Sequence, residues 1–271
     1  MLYKNEIVYD DSNAAQLTPD DDGVLMVDGQ ERHLCAVMPN AAAVPSITLA
    51  AAGIPKIPRN EWSARLKEQT ERRARVSDFC DFDPLNQGRH LSCWGEGTNG
   101  TARTLRRIQR LPFVALSTSS ITVPVTGGVD RGGFEGDSLR IATEKGLCRD
   151  AIWPTNAIDT RYMRREDVAA DRVNFKVLEW INAGRDFDTY ATCCLQTMTG
   201  PFAYTWMRHV MQICDLVEIE AGSFGLRNRN SWGAWGAKNE HGKFGFAVYR
   251  EGPRGTPTSG YMARQITAYI G

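Results

Sequence analysis

Four histidines (His33, His90, His209 and His241) and seven cysteines stand among 271 residues, so cysteine–histidine chemistry has few ways to be assembled here. Cys93 has the most informative surroundings. It lies in Asn86-Gln87-Gly88-Arg89-His90-Leu91-Ser92-Cys93-Trp94, followed by Gly95-Glu96-Gly97-Thr98-Asn99-Gly100 and a basic run to Gln109. The pattern places Cys93 where a loop gives way to a helix. A thiolate is favoured at that point, because unpaired backbone N–H groups and the positive end of the helix dipole face its charge. Gln87, six residues upstream, can aim its side-chain amide at the place where the oxyanion of an acyl transfer forms, beside the backbone N–H of Cys93.

Such a thiol needs a base, and the base needs a group to orient it. His209 opens the run His-Val-Met-Gln-Ile-Cys-Asp-Leu-Val-Glu-Ile, which reads as a buried strand holding its first residue firmly. Further on comes Asn228-Arg229-Asn230-Ser231-Trp232-Gly233-Ala234-Trp235-Gly236. Asn230 is placed to accept the ring N–H, with Trp232 covering the pair against water. His90, three residues before the thiol, is a rival base, and Asp215 an alternative orienting group.

Gln-Gly-x-x-x-Ser-Cys-Trp, a later His-Val on a strand and Asn-Ser-Trp-Gly-x-Trp-Gly together resemble the papain-like cysteine peptidases of the papain and cathepsin type. Carried over position by position, the resemblance implies Cys93 as nucleophile, His209 as base, Asn230 as the residue orienting it and Gln87 as oxyanion-hole donor. It also implies a substrate-lining role for Gly132 and Gly133, with Ser92, Trp94 and Trp232 beside the cleft. The implied fold is α+β, with a helical lobe carrying the cysteine and an antiparallel sheet lobe carrying the histidine. Exported members of the family usually have a cysteine three positions before the nucleophile. His90 stands there instead, so this chain resembles a divergent microbial or phage-like member without the usual disulfide or pro-segment.

Lys plus Arg and Asp plus Glu number 32 each, which gives no global electrostatic case for a nucleic-acid partner. Arg103, Arg106, Arg107 and Arg110 read as a solvated helix face. An odd number of irregularly spaced cysteines, Cys193 and Cys194 adjacent, argues against a disulfide framework; Cys35, Cys80, Cys148 and Cys214 read as buried thiols. There is no Cys-x-x-Cys and no histidine pair at helix spacing, so neither a metal nor an organic cofactor is expected. The first residues lack the basic and apolar regions of a signal peptide, and the stretch 41–52 is too short to span a bilayer. A cytoplasmic or virion-associated protein, not bound to a membrane, is the corresponding expectation.

Along the chain, residues 1–53 read as an arm containing a hairpin: Val24 to Val27, a tight Asp28-Gly29 turn, then Arg32 to Met38. The peptidase-like region is expected over 54–250, as a helical lobe over about 54–165 and a sheet lobe over about 166–250. Within it, 121–125 reads as extended, 137–145 as a short helix ended by Gly146, and 167–183 has apolar residues at helical spacing. Residues 251–271 read as a tail that either packs on the domain or serves a partner.

The chemistry implied is hydrolysis of a peptide or isopeptide bond through a thioacyl-enzyme, on a polypeptide or peptide-like substrate. Two other functions fit the same residues. One is a papain-like fold serving as a structural or docking component of a larger assembly such as a phage virion, through the arm or the tail; the other is a murein peptide hydrolase.

Overall fold

The structure, a computed structural model, describes residues 6–36 and 47–270. Its helices are α1 (Trp62–Glu71), α2 (Cys93–Ile108), α3 (Ser119–Thr126), α4 (Glu135–Glu144), α5 (Glu166–Arg172) and α6 (Phe187–Leu195). Its strands are β1 (Val8–Tyr9), β2 (Val24–Val27), β3 (Gln30–His33), β4 (Leu116–Ser117), β5 (Cys148–Arg149), β6 (Val177–Asn182), β7 (Gly200–Tyr204), β8 (His209–Glu220), β9 (Ser223–Arg229), β10 (Phe246–Arg250) and β11 (Ser259–Ile266). Seven of them form one sheet in the order β1-β10-β9-β8-β7-β11-β6. The fold is α+β: α2, α3 and α4 lie to one side, and the long strands of the sheet carry the rest.

The middle of the sheet is where apolar sequence is densest. From His209 to Val217 every residue of β8 is buried, as a strand covered on both faces must be. One face meets α6 and the aromatic cluster of Tyr204, Trp232, Trp235 and Tyr249; α2 lies on the other. The approach of α2 explains its glycines. A Cβ on Gly97 would lie 3.0 Å from Met211 O and 3.2 Å from Pro201 Cβ, and one on Gly95 would lie 2.3 Å from Thr122 Cγ2. Any larger residue would push the helix off the sheet, so the cost in helix propensity is offset by close packing.

The polar residues of α2 are inside as well. Asn99 Nδ2 donates to Leu116 O at 2.8 Å and to Thr118 Oγ1 at 2.9 Å, and the hydroxyls of Thr98 and Ser138 meet at 2.7 Å. The basic residues expected on a solvated face divide in two. Arg103 and Arg106 are buried; Arg103 Nε donates to Asn99 Oδ1 at 3.0 Å, and Arg106 Nη2 to Pro112 O and Tyr269 O at 3.0 and 2.9 Å. They tie loop and tail carbonyls to the helix. Arg107, half-buried, instead pairs with Asp81.

Other expectations are corrected by tertiary context. Residues 121–125 are helical within α3 despite Pro124, because they pack against α2 and α4. The periodic stretch 167–183 is short α5 followed by strand β6; Val177 and Trp180 are buried while Leu178 and Glu179 are exposed, which the sheet can satisfy and one long helix would not. Of the two possibilities for the tail, packing on the domain is the one seen over 251–270, since β11 pairs with β6 on one side and β7 on the other. At the opposite edge β1 runs parallel to β10, Val8 opposite Val248. The hairpin of β2 and β3 turns at Asp28 and Gly29, both at positive φ (50° and 71°), as a primed turn requires. It ends at His33; positions 37 and 38 of the expected second strand, and 41–46 of the alanine-rich stretch, lie outside the described residues. Among the described residues no helix is long and apolar enough to cross a membrane.

Candidate active site

Cys93 is the first residue of α2. The bonds of the opening turn run from Gly95 N and Glu96 N to Ser92 O, so the N–H groups of Cys93 and Trp94 have no acceptor within the helix. The thiol is fully buried. Burial opposes its ionisation, but the Cys35 thiol against it and the nearby His209 ring with its charge outweigh it and hold its pKa well below that of an ordinary thiol; His209 Nδ1 itself has no hydrogen-bond partner.

His209 reaches this place from the other side. Arg208 adopts a left-handed conformation (φ 49°) that ends the preceding turn, and β8 starts at the next residue. In the antiparallel pairing of β8 and β9, Gln212 lies opposite Arg229; the chain leaving β9 therefore runs back alongside the start of β8 and sets Asn230 beside His209. Asn230 Oδ1 lies 2.7 Å from His209 Nε2 and also accepts the N–H of Ser231 at 2.8 Å. With Nε2 committed, Nδ1 is the ring nitrogen left to serve the thiol. Trp232 stacks on the ring at 4.9 Å between centroids and 27° between planes, and both residues are buried. The two rivals lie elsewhere. His90 Nδ1 is 2.9 Å from Asp130 Oδ2 on the surface, and Asp215 faces Arg227 and the N–H of Ser77.

Gln87 is held by the same turn that holds Asn230. Its backbone N–H donates to Ser231 O at 2.9 Å, and its side-chain Oε1 accepts from Ser231 Oγ at 2.7 Å. That second bond fixes which way round the amide stands and leaves Nε2 to donate to His90 O at 3.0 Å within its own loop and to His33 O at 3.2 Å. Ser231 is thus a positioning residue that inspection of the sequence passed over; its place beside Asn230 and its hydroxyl were the available signals.

The residues that the resemblance implied beside the cleft pack closely on their neighbours. Gly132 lies against the chain at Cys35, where a Cβ would come within 2.0 Å of Cys35 O, and Gly133 lies against the Trp94 ring. Trp94 is itself fully buried, its Nε1–H bonded to Leu91 O at 3.1 Å, so it supports the glycine strip and does not meet a substrate. Ser92 caps the approach to α2 without a side-chain capping bond.

The unexpected feature is the segment 33–36. Gln87 Nε2 donates to His33 O at 3.2 Å, Cys35 Sγ lies 4.0 Å from Cys93 Sγ, and Ala36 N donates to Arg208 O at 2.8 Å. Arg32 anchors the entry to this segment through Trp232 O (3.0 Å) and Asn86 Oδ1 (3.3 Å). The arm therefore lies across the thiol, the glutamine amide and the strip at Gly132. Cys35, read from the sequence as a buried core thiol, is half-buried here against Cys93, with which Trp94, Ala203 and Val210 form a small cluster.

Behind the thiol, one turn along α2, the carboxyl of Glu96 is buried and takes the Thr118 hydroxyl at 2.8 Å. Burial pushes it up to about 7, against the opposing influence of Thr118 and Arg103; burial likewise pushes Glu135 up to about 7. Between the ordinary value of 4.5 and about 7, the folded chain holds protons that the unfolded chain has lost. Stability is therefore greatest below that window and falls as pH rises through it. Glu96→Gln is expected to flatten its share of the fall and to raise stability at pH 8 by on the order of 2 kcal/mol, read by urea denaturation at pH 5 and 8; a variant weaker than the parent at pH 8 would contradict the assignment. No cluster of metal-ligating side chains occurs among the described residues.

Comparison with solved structures identifies the architecture. The chain superposes on the proform of the ragweed pollen cysteine protease Amb a 11 with a TM-score of 0.56 at 18% identity, covering 83% of this chain and 72% of that one. It superposes on xylellain, a cysteine protease from Xylella fastidiosa, with a TM-score of 0.52 at 16% identity over 87% and 92% of the two chains. This is the papain-like protease fold. The papain-like core also matches the cysteine protease and lectin-like domains of Cwp84 from Clostridium difficile, with a TM-score of 0.57 at 14% identity over 87% of this chain and 56% of that one. No protein-family model and no curated protein matches the sequence. At these identities the papain-like likeness concerns the fold.

Proposed function

We propose that the protein is a cysteine peptidase that rests with its own arm in the cleft. The observation that carries this reading is the buried Cys93 at the start of α2 facing a histidine whose Nε2 is fixed by Asn230 at 2.7 Å. Once the arm has left, the Cys93 thiolate attacks the carbonyl carbon of a bound peptide. The carbonyl electron pair moves to oxygen, which is held by the N–H of Cys93 and by Gln87 Nε2, the donor that His33 O occupies at rest. His209 gives its proton to the leaving amine, and the same nitrogen then takes a proton from the water that releases the acyl group. Asn230 and Trp232 keep the ring in one orientation and away from solvent. The thiol-epoxide reaction tests the activated thiol independently of any substrate: Cys93 is modified selectively, and His209→Ala loses that selectivity. Uniform modification of several cysteines would overturn the reading.

Release of the arm is testable by weakening its anchor. Arg32→Ala removes the bonds to Trp232 O and Asn86 Oδ1, and is expected to raise the rate of both epoxide labelling and peptide turnover several-fold. No acceleration in either assay would show that residues 33–36 do not limit access.

The filled cleft also favours a second reading, a papain-like domain acting as a structural or docking component of a larger assembly. It predicts no turnover of peptides or murein fragments even by Arg32→Ala, with the thiol still labelled.

A further inference from the structure

Two thiols meet where one would suffice for hydrolysis. Cys35 Sγ lies 4.0 Å from Cys93 Sγ, across a junction between the arm and α2. Their contact joins chain segments that belong to different parts of the sheet and helix framework. Cys35 is held on both sides by backbone bonds, Leu34 N to Gly23 O at 2.7 Å and Ala36 N to Arg208 O at 2.8 Å. Gly132 admits the chain at this point because it lacks a Cβ. The position of the second thiol is therefore set by the arm's own hydrogen bonds.

We infer that Cys35 is a reversible oxidation site, a resolving thiol that forms a disulfide with Cys93 and fastens the arm in the cleft. The inference rests on the reading of Cys93 as an ionised thiol. The oxidant is a hydroperoxide such as hydrogen peroxide, small enough to approach along the half-buried Cys35. The Cys93 thiolate attacks one peroxide oxygen and the O–O bond breaks. Cys93 becomes a sulfenic acid, and the hydroxide released takes the proton of the His209 imidazolium to leave as water. The Cys35 sulfur then attacks the Cys93 sulfur; the S–O bond breaks, the S–S bond forms, and the hydroxide leaves as a second water with the Cys35 proton. Two thiols and one peroxide give one disulfide and two waters. A dithiol reductant reverses the change by exchange.

Closing a 4.0 Å contact to a bond of about 2.05 Å requires side-chain rotation and a small shift of a segment that is itself only half-buried. Its consequence is specific to this chain. In the reduced protein the arm is held by hydrogen bonds and can leave. In the oxidised protein it is fastened covalently, and the sulfur needed for catalysis is protected from further oxidation to sulfinic acid. The remaining cysteines supply the contrast. Cys80, Cys148, Cys193, Cys194 and Cys214 are buried; burial pushes Cys193 up to about 12, and although Cys214 and Arg229 lower Cys80 to about 7 against its burial, that second pair is fully buried, whereas Cys35 is only half-buried.

The test uses the full chain, reduced, freed of reductant and treated with one equivalent of hydrogen peroxide, then alkylated and mapped without reduction. The expected product is a cross-linked peptide containing Cys35 and Cys93, with the loss of two hydrogens from the intact mass, reversed by dithiothreitol. Oxidation should abolish epoxide labelling of Cys93, and reduction restore it. In Cys35→Ser the cross-link is absent and Cys93 advances to sulfinic acid, gaining two oxygens, at least several-fold faster than in the parent. Sulfinic Cys93 with free Cys35 in the parent chain, or a disulfide confined to other cysteines, would overturn the inference. Because the cross-link is read by mass, it can form in a protein that cleaves no peptide, and can fail in one that does; the peptidase reading is decided by turnover instead.

Discussion

In the Arg32→Ala background, Cys93→Ala and His209→Ala each reduce the turnover of a mixed peptide library by a factor of about 10³ or more, and the double variant is little worse than either single one. The reason is that in the proposed mechanism the two side chains act as a unit, the thiol passing its proton to the ring. The donors proposed for the oxyanion, the Gln87 amide and the backbone N–H of residue 93, are unchanged in both variants, so some catalysis over water is expected to persist. Cys93→Ala should unfold within about 1 kcal/mol of its parent in urea, since it changes little volume; His209→Ala removes a buried ring stacked on Trp232 and is expected to be less stable, so its turnover is compared per folded molecule. Fold-intact variants with undiminished turnover would remove Cys93 and His209 from the chemistry. Additive losses in the double variant would mean that they act separately.

Arg227→Ala is expected to destabilise the fold by about 3–5 kcal/mol, the usual result of breaking a buried ion pair by removing one partner. Arg227 stands on β9 with its side chain 2% exposed, its Nη2 2.5 Å from Glu6 Oε1, and its guanidinium 4.3 Å from the centroid of the Phe246 ring. Glu6 is 5% exposed. Burial pushes its carboxyl up while Arg227 opposes that rise; without the guanidinium, a carboxyl buried beside Asp215 has little to keep it charged. Glu6 immediately precedes the pairing of β1 with β10, where Val248 N donates to Ile7 O at 2.9 Å, so the damage should begin at that edge. Guanidinium denaturation at pH 7 measures the loss, and hydrogen exchange locates it in β1 and β10. Adding Glu6→Gln should recover part of it, since the stranded charge is then gone. A loss below about 1 kcal/mol would place the pair among screened surface bridges.

The arm bears on both expectations. It enters the sheet edge through Glu6 and β1, forms a hairpin, and crosses the thiol at residues 33–36, so the stability of the edge strand and the accessibility of Cys93 are linked through one stretch of chain. Arg227→Ala should therefore raise epoxide labelling of Cys93 as well as lower stability, which a purely local defect in the sheet would not do.

The places of Cys93 at a helix start and of His209 at a strand start were legible from the local patterns, and the candidate set of Gln87, Cys93, His209 and Asn230 from the papain-like resemblance. The hairpin was legible from Asp28-Gly29, whose positive φ values few other pairs adopt. The packing of polar groups was harder to read. Arg103, Arg106 and Asn99 look solvent-facing by type, and only the carbonyls of Leu116, Pro112 and Tyr269, outside the helix, allow them inside. The stretch 121–125 looks like a strand by propensity and is helical by packing. Trp94 looks like a cleft residue by its neighbour and serves as the floor beneath Gly133.

Sequence by itself determined the papain-like resemblance and with it the candidates Gln87, Cys93, His209 and Asn230, because residue type and the patterns of a helix start and a strand start limit where a thiol, a base and an amide donor can stand. Tertiary structure alone decided that β11 closes the sheet between β7 and β6, that Ser231 sets the orientation of Gln87, and that Cys35 lies against Cys93. Those facts depend on strand register and on long-range backbone hydrogen bonds, which join positions with no periodic relation along the chain.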